Sequence, residues 1–201
     1  MDGRPPETPG LSSKLALVTG GSLRIGAEIC RHLAISGFSI IVHTHRSIVK
    51  CEDLVGEINQ SGGHAEMVIG DLSVSEGRDA VIAAVFATDI FQVTRGLDLL
   101  VNSASVFSDS TTLDSNEKTA SRDVMFALHV DSPSHLATAL SESLAASKGS
   151  IINIIDAILE RPGEGYADYS ASKRAMAELT LAQAIEYAPE IRVNGIGPGT
   201  I

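Results

Sequence analysis

The 201-residue sequence contains no tryptophan and only two cysteines, Cys30 and Cys51. Both cysteines fall within predicted helices, so buried free thiols are a simpler interpretation than a disulfide framework or a metal site. No apolar run is long enough to span a membrane, and no signal-peptide pattern opens the chain. These features predict a cytoplasmic protein without a membrane partner.

Basic residues are also scarce. The chain has 15 Lys and Arg against 25 Asp and Glu, a formal net charge of −10. That balance argues against a nucleic-acid-binding surface. A hydrophobic content of 44% is typical of a globular chain, and the length suits a single α/β domain. Residues 1–13 hold three prolines and few apolar residues, so we predict a disordered N-terminal tail.

The strongest chemical signal lies between residues 150 and 173. A run of isoleucines over residues 151–155 predicts a strand that is buried on both faces of a parallel sheet. Asp156 follows where that strand ends, at the sheet edge that carries ligands in open α/β folds. Tyr169 and Lys173 lie four residues apart and so share one face of the next predicted helix. An ammonium near a phenol lowers its pKa, which would suit Tyr169 to proton exchange.

A second signal is a glycine-rich turn between a strand, Leu15–Thr19, and a helix predicted from Ala27 to about Ser36. Glycines let the backbone approach a dinucleotide pyrophosphate, and a helix N-terminus offers free N–H groups. Arg24 within this turn adds a cation beside phosphate and substrate. An arginine that simply points to solvent is the alternative. The candidate contacts in this turn are Gly20, Arg24, Ile25 and Gly26.

The next predicted strand, Phe38–His43, indicates which nucleotide is bound. An acidic residue after this strand would bind a free ribose hydroxyl, but none occurs between residues 38 and 50. Arg46 can hold a 2′-phosphate, and Ser47 can donate to it while capping the following helix. With His45 able to stack or donate, the pattern predicts NADPH rather than NADH. We interpret His43 as a surface histidine.

Helices and strands alternate over the rest of the chain, which predicts a doubly wound (Rossmann) parallel sheet of about six strands in the order 3-2-1-4-5-6. A long helix ending near residue 147 is expected to kink at Pro133. The other predicted helices cover residues 47–61, 75–88 and 167–188; the other strands cover 64–69, 97–101 and 191–196; and a polar loop covers 109–118.

Together these motifs resemble the short-chain dehydrogenase/reductase family, which has YxxxK in its active site, here Tyr169–Lys173. Asp156 stands where most of that family has serine. An aspartate there, the arginine in the turn and the HxHRS pattern ending at Ser47 resemble the pteridine reductase branch. The resemblance extends from residue 14 to residue 201. Because family members continue into substrate-binding helices and a seventh strand, we expect a domain that lacks its C-terminal part.

The resemblance implies further contacts with cofactor and substrate. Asp71 would bind the adenine amino group, unless it only caps a helix, and Leu72 would flank the ring. The segment from 102 to 107 matches the NNAS-aromatic pattern, except at Ser103. Phe107 would stack on a flat heteroaromatic ring, with core packing as the alternative. The implied cofactor contacts are Asn102, Ala104, Ser105, Tyr169, Lys173, Pro198 and Gly199; the implied substrate contacts are Arg24, Ser105, Phe107, Asp156 and Tyr169.

One position departs from the family in a way that bears on chemistry. In the family an asparagine at the position of His129 holds a proton-relay water. A histidine can still carry protons there, and the alternative is that its bulk displaces the water and impairs the relay. The overall prediction is NADPH-dependent reduction of a biopterin- or folate-type ring, with Asp156, Tyr169 and Lys173 as catalytic residues and no metal. The resemblance also implies a homo-oligomer, a family-like tetramer if the C-terminal part is present. A general carbonyl reductase and an inactive nucleotide-binding fragment are the alternatives.

Overall fold

The computed structural model describes Ser12 and residues 14–94, 96–107, 113–157 and 165–199. The predicted disordered tail therefore lies outside the described residues, apart from Ser12. Six strands form one parallel sheet, and each lies within one or two residues of its predicted position. They are β1 (Leu15–Thr19), β2 (Ser39–Thr44), β3 (Ala65–Ile69), β4 (Leu99–Asn102), β5 (Ser150–Ile154) and β6 (Arg192–Ile196).

The strand order is β3-β2-β1-β4-β5-β6, as predicted. All five strand pairs are parallel, and Thr19, Asn102 and Asn153 are aligned across β1, β4 and β5. The carboxyl ends of these strands therefore meet at one edge. The order reverses between β1 and β4, and in open α/β sheets ligands bind at such a switch point.

Helices connect the strands and cover both faces of the sheet. They are α1 (Arg24–Ile35), α2 (Ile48–Gln60), α3 (Ser75–Ala87), α4 (Asp89–Thr94), α5 (Ser115–Phe126), α6 (Ser132–Ala146) and α7 (Ala167–Glu186). A π-helical segment, Ala127–Asp131, joins α5 to α6. We predicted a kink at Pro133, and the departure from α-helical geometry lies just before that residue. Proline has no N–H with which to continue the α-helical hydrogen bonds.

The connections differ from the prediction in two places. The short helix α4 was not predicted, and the expected loop over 109–118 is already helical from Ser115. The Asp114 carboxylate accepts the N–H groups of Asn116 and Glu117, and the Glu117 carboxylate accepts the N–H of Asp114. This reciprocal capping satisfies the first turn and starts α5 early. Residues 108–112 lie outside the described residues.

The core consists of two apolar layers, one on each face of the sheet. Along β1, Leu15 and Leu17 belong to one layer, and Ala16 and Val18 belong to the other. Successive side chains of a strand point to opposite faces, so a continuous apolar run indicates burial on both sides. Cys30 and Cys51 are buried free thiols, as expected. Across the described ranges, no helix is both long and apolar enough to cross a membrane.

Candidate active site

A cleft of about 1920 Å³ lies along the carboxyl ends of the strands. It extends from the glycine turn between β1 and α1 to the first turns of α7. The structure brings nearly all of the predicted site residues to this one cleft. Those that line it are Gly20, Arg24, Ile25, Gly26, His45, Arg46, Ser47, Asp71, Leu72, Ala104, Ser105, Phe107, Asp156, Tyr169, Lys173, Pro198 and Gly199.

Asn102 is the exception, because its side chain lies beneath the cleft rather than on its wall. Asn102 is only 3% exposed, and its amide donates to Oδ1 of Asn153 over 2.8 Å. Asn153 in turn donates to Oγ1 of Thr180 on α7 over 2.9 Å. The side chain therefore ties β4 to β5 and α7. Asn102 therefore does not line the cleft, and its side chain supports the predicted nucleotide site from below.

The glycine turn brings the backbone of α1 close to the sheet. Gly20 has a φ of 61°, and a Cβ atom there would lie 2.8 Å from the Cα of Ala104. A Cβ at Gly26 would collide with the carbonyl of Gly20. A larger residue at Gly20 would push the turn away from the segment after β4, and one at Gly26 would push α1 away from the turn. The first residues of α1 line the cleft, and the free N–H groups of a helix N-terminus are suited to bind phosphate.

Arg24 occupies a strained position in this turn. Its φ is 49°, in the left-handed region that favours glycine. The side chain is exposed and lines the cleft. A non-glycine residue in such a conformation costs about 1–2 kcal/mol, and such strain is concentrated at functional sites.

His43 is buried, so its interpretation as a surface histidine is wrong. It is 2% exposed within β2, all of whose residues are buried. Nδ1 accepts the N–H of Gly20 over 3.2 Å, and Nε2 donates to the carbonyl of Gly70 over 3.0 Å. Burial lowers the pKa of His43 to about 4. The neutral ring thus links the glycine turn to the residue just after β3.

The side of the cleft beyond β2 and β3 carries the predicted adenosine contacts. His45 and Arg46 are exposed there, and Nε2 of His45 lies 3.7 Å from Oδ2 of Asp71. Ser47 is at the N-cap position of α2 but makes no side-chain capping hydrogen bond, so the capping prediction is wrong. Asp71 does not cap α3 either, since Val74 holds that position. Its Oδ1 instead accepts the N–H and hydroxyl of Ser73.

At the other end of the cleft, Tyr169 and Asp156 are joined by a short hydrogen bond. The Tyr169 hydroxyl donates to Oδ2 of Asp156 over 2.6 Å. Lys173 donates through Nζ to the carbonyl of Ile154 over 2.8 Å, and Nζ lies 5.9 Å from the centre of the Tyr169 ring. Tyr169 is 5% exposed and Lys173 is 2% exposed. The end of β5 and the face of α7 therefore place the three predicted catalytic groups together.

The pKa of Tyr169 is raised, not lowered as the Tyr169–Lys173 spacing suggested. Burial is the largest cause, followed by the hydrogen bond to Asp156 and the charge of that carboxylate. Burial also lowers the pKa of Lys173 to about 8, against the opposing effect of Asp156. Burial of Tyr169 and burial of Lys173 both work against the lowering of the Tyr169 pKa by the ammonium group. At neutral pH Tyr169 thus holds a proton that it can donate, as a general acid must.

Aromatic rings form one wall beside these groups. Phe107 is 59% exposed, which excludes core packing as its role. Its ring stacks on Tyr166 with centroids 4.7 Å apart and meets the edge of Tyr169 at 4.9 Å. Tyr166 was not predicted as a site residue. The signal that could have found it is its position three residues before Tyr169, at the start of the same helix.

His129 lies behind this wall and is fully buried in the π-helical segment. Its Nε2 is 2.8 Å from Oγ of Ser105, and its Nδ1 is 2.8 Å from Oγ of Ser172. The imidazole thus contacts a cleft residue on one side and α7 on the other. Sequence reasoning identified His129 as a departure from the family but did not identify either partner.

Comparison with known proteins identifies the family and several relatives. The model for the family described as short chain dehydrogenase matches residues 14–201. Pteridine reductase 1 of Leishmania tarentolae is 29% identical, with 94% of this chain and 76% of that protein covered. Dihydromonapterin reductase of an Enterobacter species, strain 638, is 31% identical, with 92% and 73% covered.

A solved structure extends the comparison to three dimensions. FolM alternative dihydrofolate reductase 1 from Brucella canis, complexed with NADP, superposes with a TM-score of 0.79 and 35% sequence identity. The alignment covers 92% of this chain and 73% of that chain.

Proposed function

This chain belongs to the short-chain dehydrogenase family, and from that premise we propose that it catalyses the NADPH-dependent reduction of a pteridine ring of the biopterin or folate type. The observation that carries the proposal is the 2.6 Å hydrogen bond from Tyr169 to Asp156. These two residues lie at one end of the cleft, and the glycine-rich turn lies at the other end. Relatives that reduce pterin and dihydrofolate substrates add support.

The residues of the cleft fit a nicotinamide dinucleotide. The turn at Gly20 and Gly26 leaves no room for side chains between the α1 backbone and the sheet, as close approach to a pyrophosphate requires. Arg46 is exposed at the end of β2, where a 2′-phosphate would lie. Pro198 and Gly199 line the cleft beside Tyr169, where they would cover the nicotinamide. NADPH, when bound, supplies the hydride.

The residues of this chain supply the proton. Tyr169 is protonated at neutral pH and donates to Asp156. When a substrate binds, one of its ring nitrogens would replace Asp156 as the acceptor of the Tyr169 hydrogen bond. That nitrogen would then receive the Tyr169 proton. Lys173, held by the Ile154 carbonyl, would then stabilise the phenolate that remains.

Asp156 and Phe107 suit a flat, nitrogen-rich substrate. A carboxylate only accepts hydrogen bonds, and the amidine-like edge of a pterin offers N–H donors. The exposed face of Phe107 gives a planar surface on which such a ring can stack. A plain ketone offers neither feature, so the pair favours a pterin over a simple carbonyl compound.

The proposal is tested by following NADPH oxidation with dihydrobiopterin and dihydrofolate beside a panel of simple ketones. Faster turnover of either pterin than of every ketone supports the proposal. Ketone reduction without pterin reduction would replace it with general carbonyl reduction. NADPH binding without turnover of any substrate would favour the inactive nucleotide-binding fragment.

We expect the native protein to bind NADPH at least tenfold more tightly than NADH, a difference in binding free energy of about 1.4 kcal/mol. Arg46→Asp should remove that difference, because it places a negative charge beside the 2′-phosphate. Arg192→Asp is the control, because Arg192 is an exposed arginine at the start of β6 and does not line the cleft. Fluorescence titration measures both affinities, and equal values for the native protein would contradict the assignment of Arg46.

Arg24→Gly should weaken NADPH binding roughly tenfold by removing a charge-assisted contact. It should not lower the free energy of unfolding, because glycine relieves the strain at a φ of 49°. Lys148→Gly is a matched control, since Lys148 has a φ of 50° and lies outside the cleft. Thermal melts and titrations compare the two variants. Unchanged NADPH affinity in Arg24→Gly would mean that the side chain points to solvent.

The proposal also includes a location and an assembly. Two buried free thiols suit a reducing compartment, so we assign the enzyme to the cytoplasm. Leu181 and Ile185 lie one turn apart on α7 and are 62% and 82% exposed. Exposed apolar residues of this kind are commonly covered in an assembly, which supports a homo-oligomer. Light scattering would measure its size.

A further inference from the structure

A chain of hydrogen bonds runs behind the cleft from α7 to the loop after β4. The Ser172 hydroxyl donates to the carbonyl of Tyr169 over 2.8 Å. A hydroxyl has one proton, so Oγ of Ser172 can only accept from its second partner, Nδ1 of His129, 2.8 Å away. The hydrogen bonds of α7 therefore place a proton on Nδ1.

The other nitrogen of the ring is then an acceptor. His129 is fully buried, and burial together with the charge of Lys173 lowers its pKa to about 3, so the ring is neutral. With its one proton on Nδ1, Nε2 carries a lone pair. The atom facing it is Oγ of Ser105 at 2.8 Å, which must donate. Two other acceptors lie near Ser105. The carbonyl of Val106 is farther away at 3.5 Å, and the Tyr169 oxygen is within hydrogen-bond reach of Ser105, an interaction that works to lower the pKa of Tyr169. If the Ser105 proton pointed to Tyr169 instead, the buried Nε2 of His129 would lose the donor that faces it.

We propose that His129 is a positioning residue that turns the Ser105 proton away from the cleft, so that Ser105 presents only acceptor lone pairs to the substrate. This inference rests on the proposed function, because Ser105 lines the cleft beside Phe107 and Asp156. Both Ser105 and Asp156 then accept hydrogen bonds. The site selects a substrate whose ring edge offers N–H donors to both residues and disfavours one whose edge only accepts.

The orientation of the Ser105 proton follows from the tautomer of His129. NMR of the 21.0 kDa protein labelled with ¹⁵N-histidine measures that tautomer without substrate turnover. His129 should be the Nδ1–H tautomer, and His43 should be the opposite Nε2–H tautomer, because its Nδ1 accepts from Gly20. His43 is thus an internal reference, and the signal missing from His129→Gln assigns His129. An Nε2–H or doubly protonated His129 would overturn the proposal.

Ser172→Ala tests the consequence for the substrate. Without its acceptor, His129 can shift to the Nε2–H form and donate to Ser105, whose proton then faces the cleft. We expect the KM for dihydrobiopterin to rise about fivefold with kcat little changed, as for the loss of one neutral hydrogen bond. Ser170→Ala is the matched control, because Oγ of Ser170 is buried without a hydrogen-bond partner among the described residues.

Three outcomes decide between the proposals. A changed tautomer together with a higher KM in Ser172→Ala, and neither change in Ser170→Ala, supports the role of His129. A higher KM without a change in tautomer would show a purely structural effect and overturn it. A native protein that reduces no pterin would overturn the proposed function and the selection of substrate, while the NMR result would still decide how Ser105 is oriented.

Discussion

Tyr169→Phe is expected to lower kcat for dihydrobiopterin reduction roughly a thousandfold, within the range that general acid catalysis contributes. The substitution removes the hydroxyl that donates to Asp156 over 2.6 Å and leaves a ring of the same shape in a site that is 5% exposed. The packing against Phe107 and His129 depends on the ring rather than on the hydroxyl. The Kd for NADPH should therefore change little.

Steady-state NADPH oxidation and fluorescence titration separate these two effects. Tyr187→Phe is the matched control, because Tyr187 is at the end of α7 outside the cleft. It should keep both turnover and NADPH affinity. If Tyr169→Phe retained more than about a tenth of the native kcat, the substrate proton would have to come from another group, and the role given to Tyr169 would be wrong.

Asp156→Ser is expected to lower pterin turnover by roughly ten- to a hundredfold, or about 1.5–3 kcal/mol for a lost charge-assisted hydrogen bond. Reduction of a simple ketone, if the native protein catalyses it, should be much less affected, because a ketone has no N–H group for the carboxylate to accept. NADPH affinity should be nearly unchanged. Asp168→Ser, the same change one residue before Tyr169 and outside the cleft, is the control.

The pH dependence of the Asp156→Ser variant provides a second measurement. In the native protein, the hydrogen bond to Asp156 and its charge add to burial in raising the pKa of Tyr169. Removing the carboxylate should lower that pKa, so that the protonated donor is lost at a lower pH. The basic limb of the kcat profile should therefore move to lower pH. Native-like pterin turnover by Asp156→Ser would remove the support for pteridine chemistry.

Much of the fold followed from local patterns. Apolar runs predicted β1 and β5, because parallel strands are buried on both faces, and the alternation of strands with helices placed the other four. Alternation with helices predicted the strand order, since consecutive parallel strands need crossover connections. The capping box that starts α5 is also local, because its D-x-x-E pattern from Asp114 to Glu117 is a sequence signature of a helix N-terminus.

The placement of the site was predictable for similar reasons. The glycine turn follows β1 directly, and Asp156 follows β5, so both had to lie at the carboxyl edge of the sheet. Tyr169 and Lys173 share a helical face by their spacing alone. The family resemblance then supplied the predictions for Asp71, Ser105 and Gly199, which line the cleft and which no local pattern would have assigned to it.

The amino-acid sequence by itself thus determined the parallel sheet, the nucleotide turn and the residues that meet at its edge, because each depends on chain neighbours and strand direction. Only the tertiary structure decided how those residues are protonated and paired. Burial and a carboxylate from another element raise the pKa of Tyr169, and serines 24 and 43 residues away set the tautomer of His129. Burial and hydrogen-bond partners come from packing between distant segments, which sequence spacing does not encode.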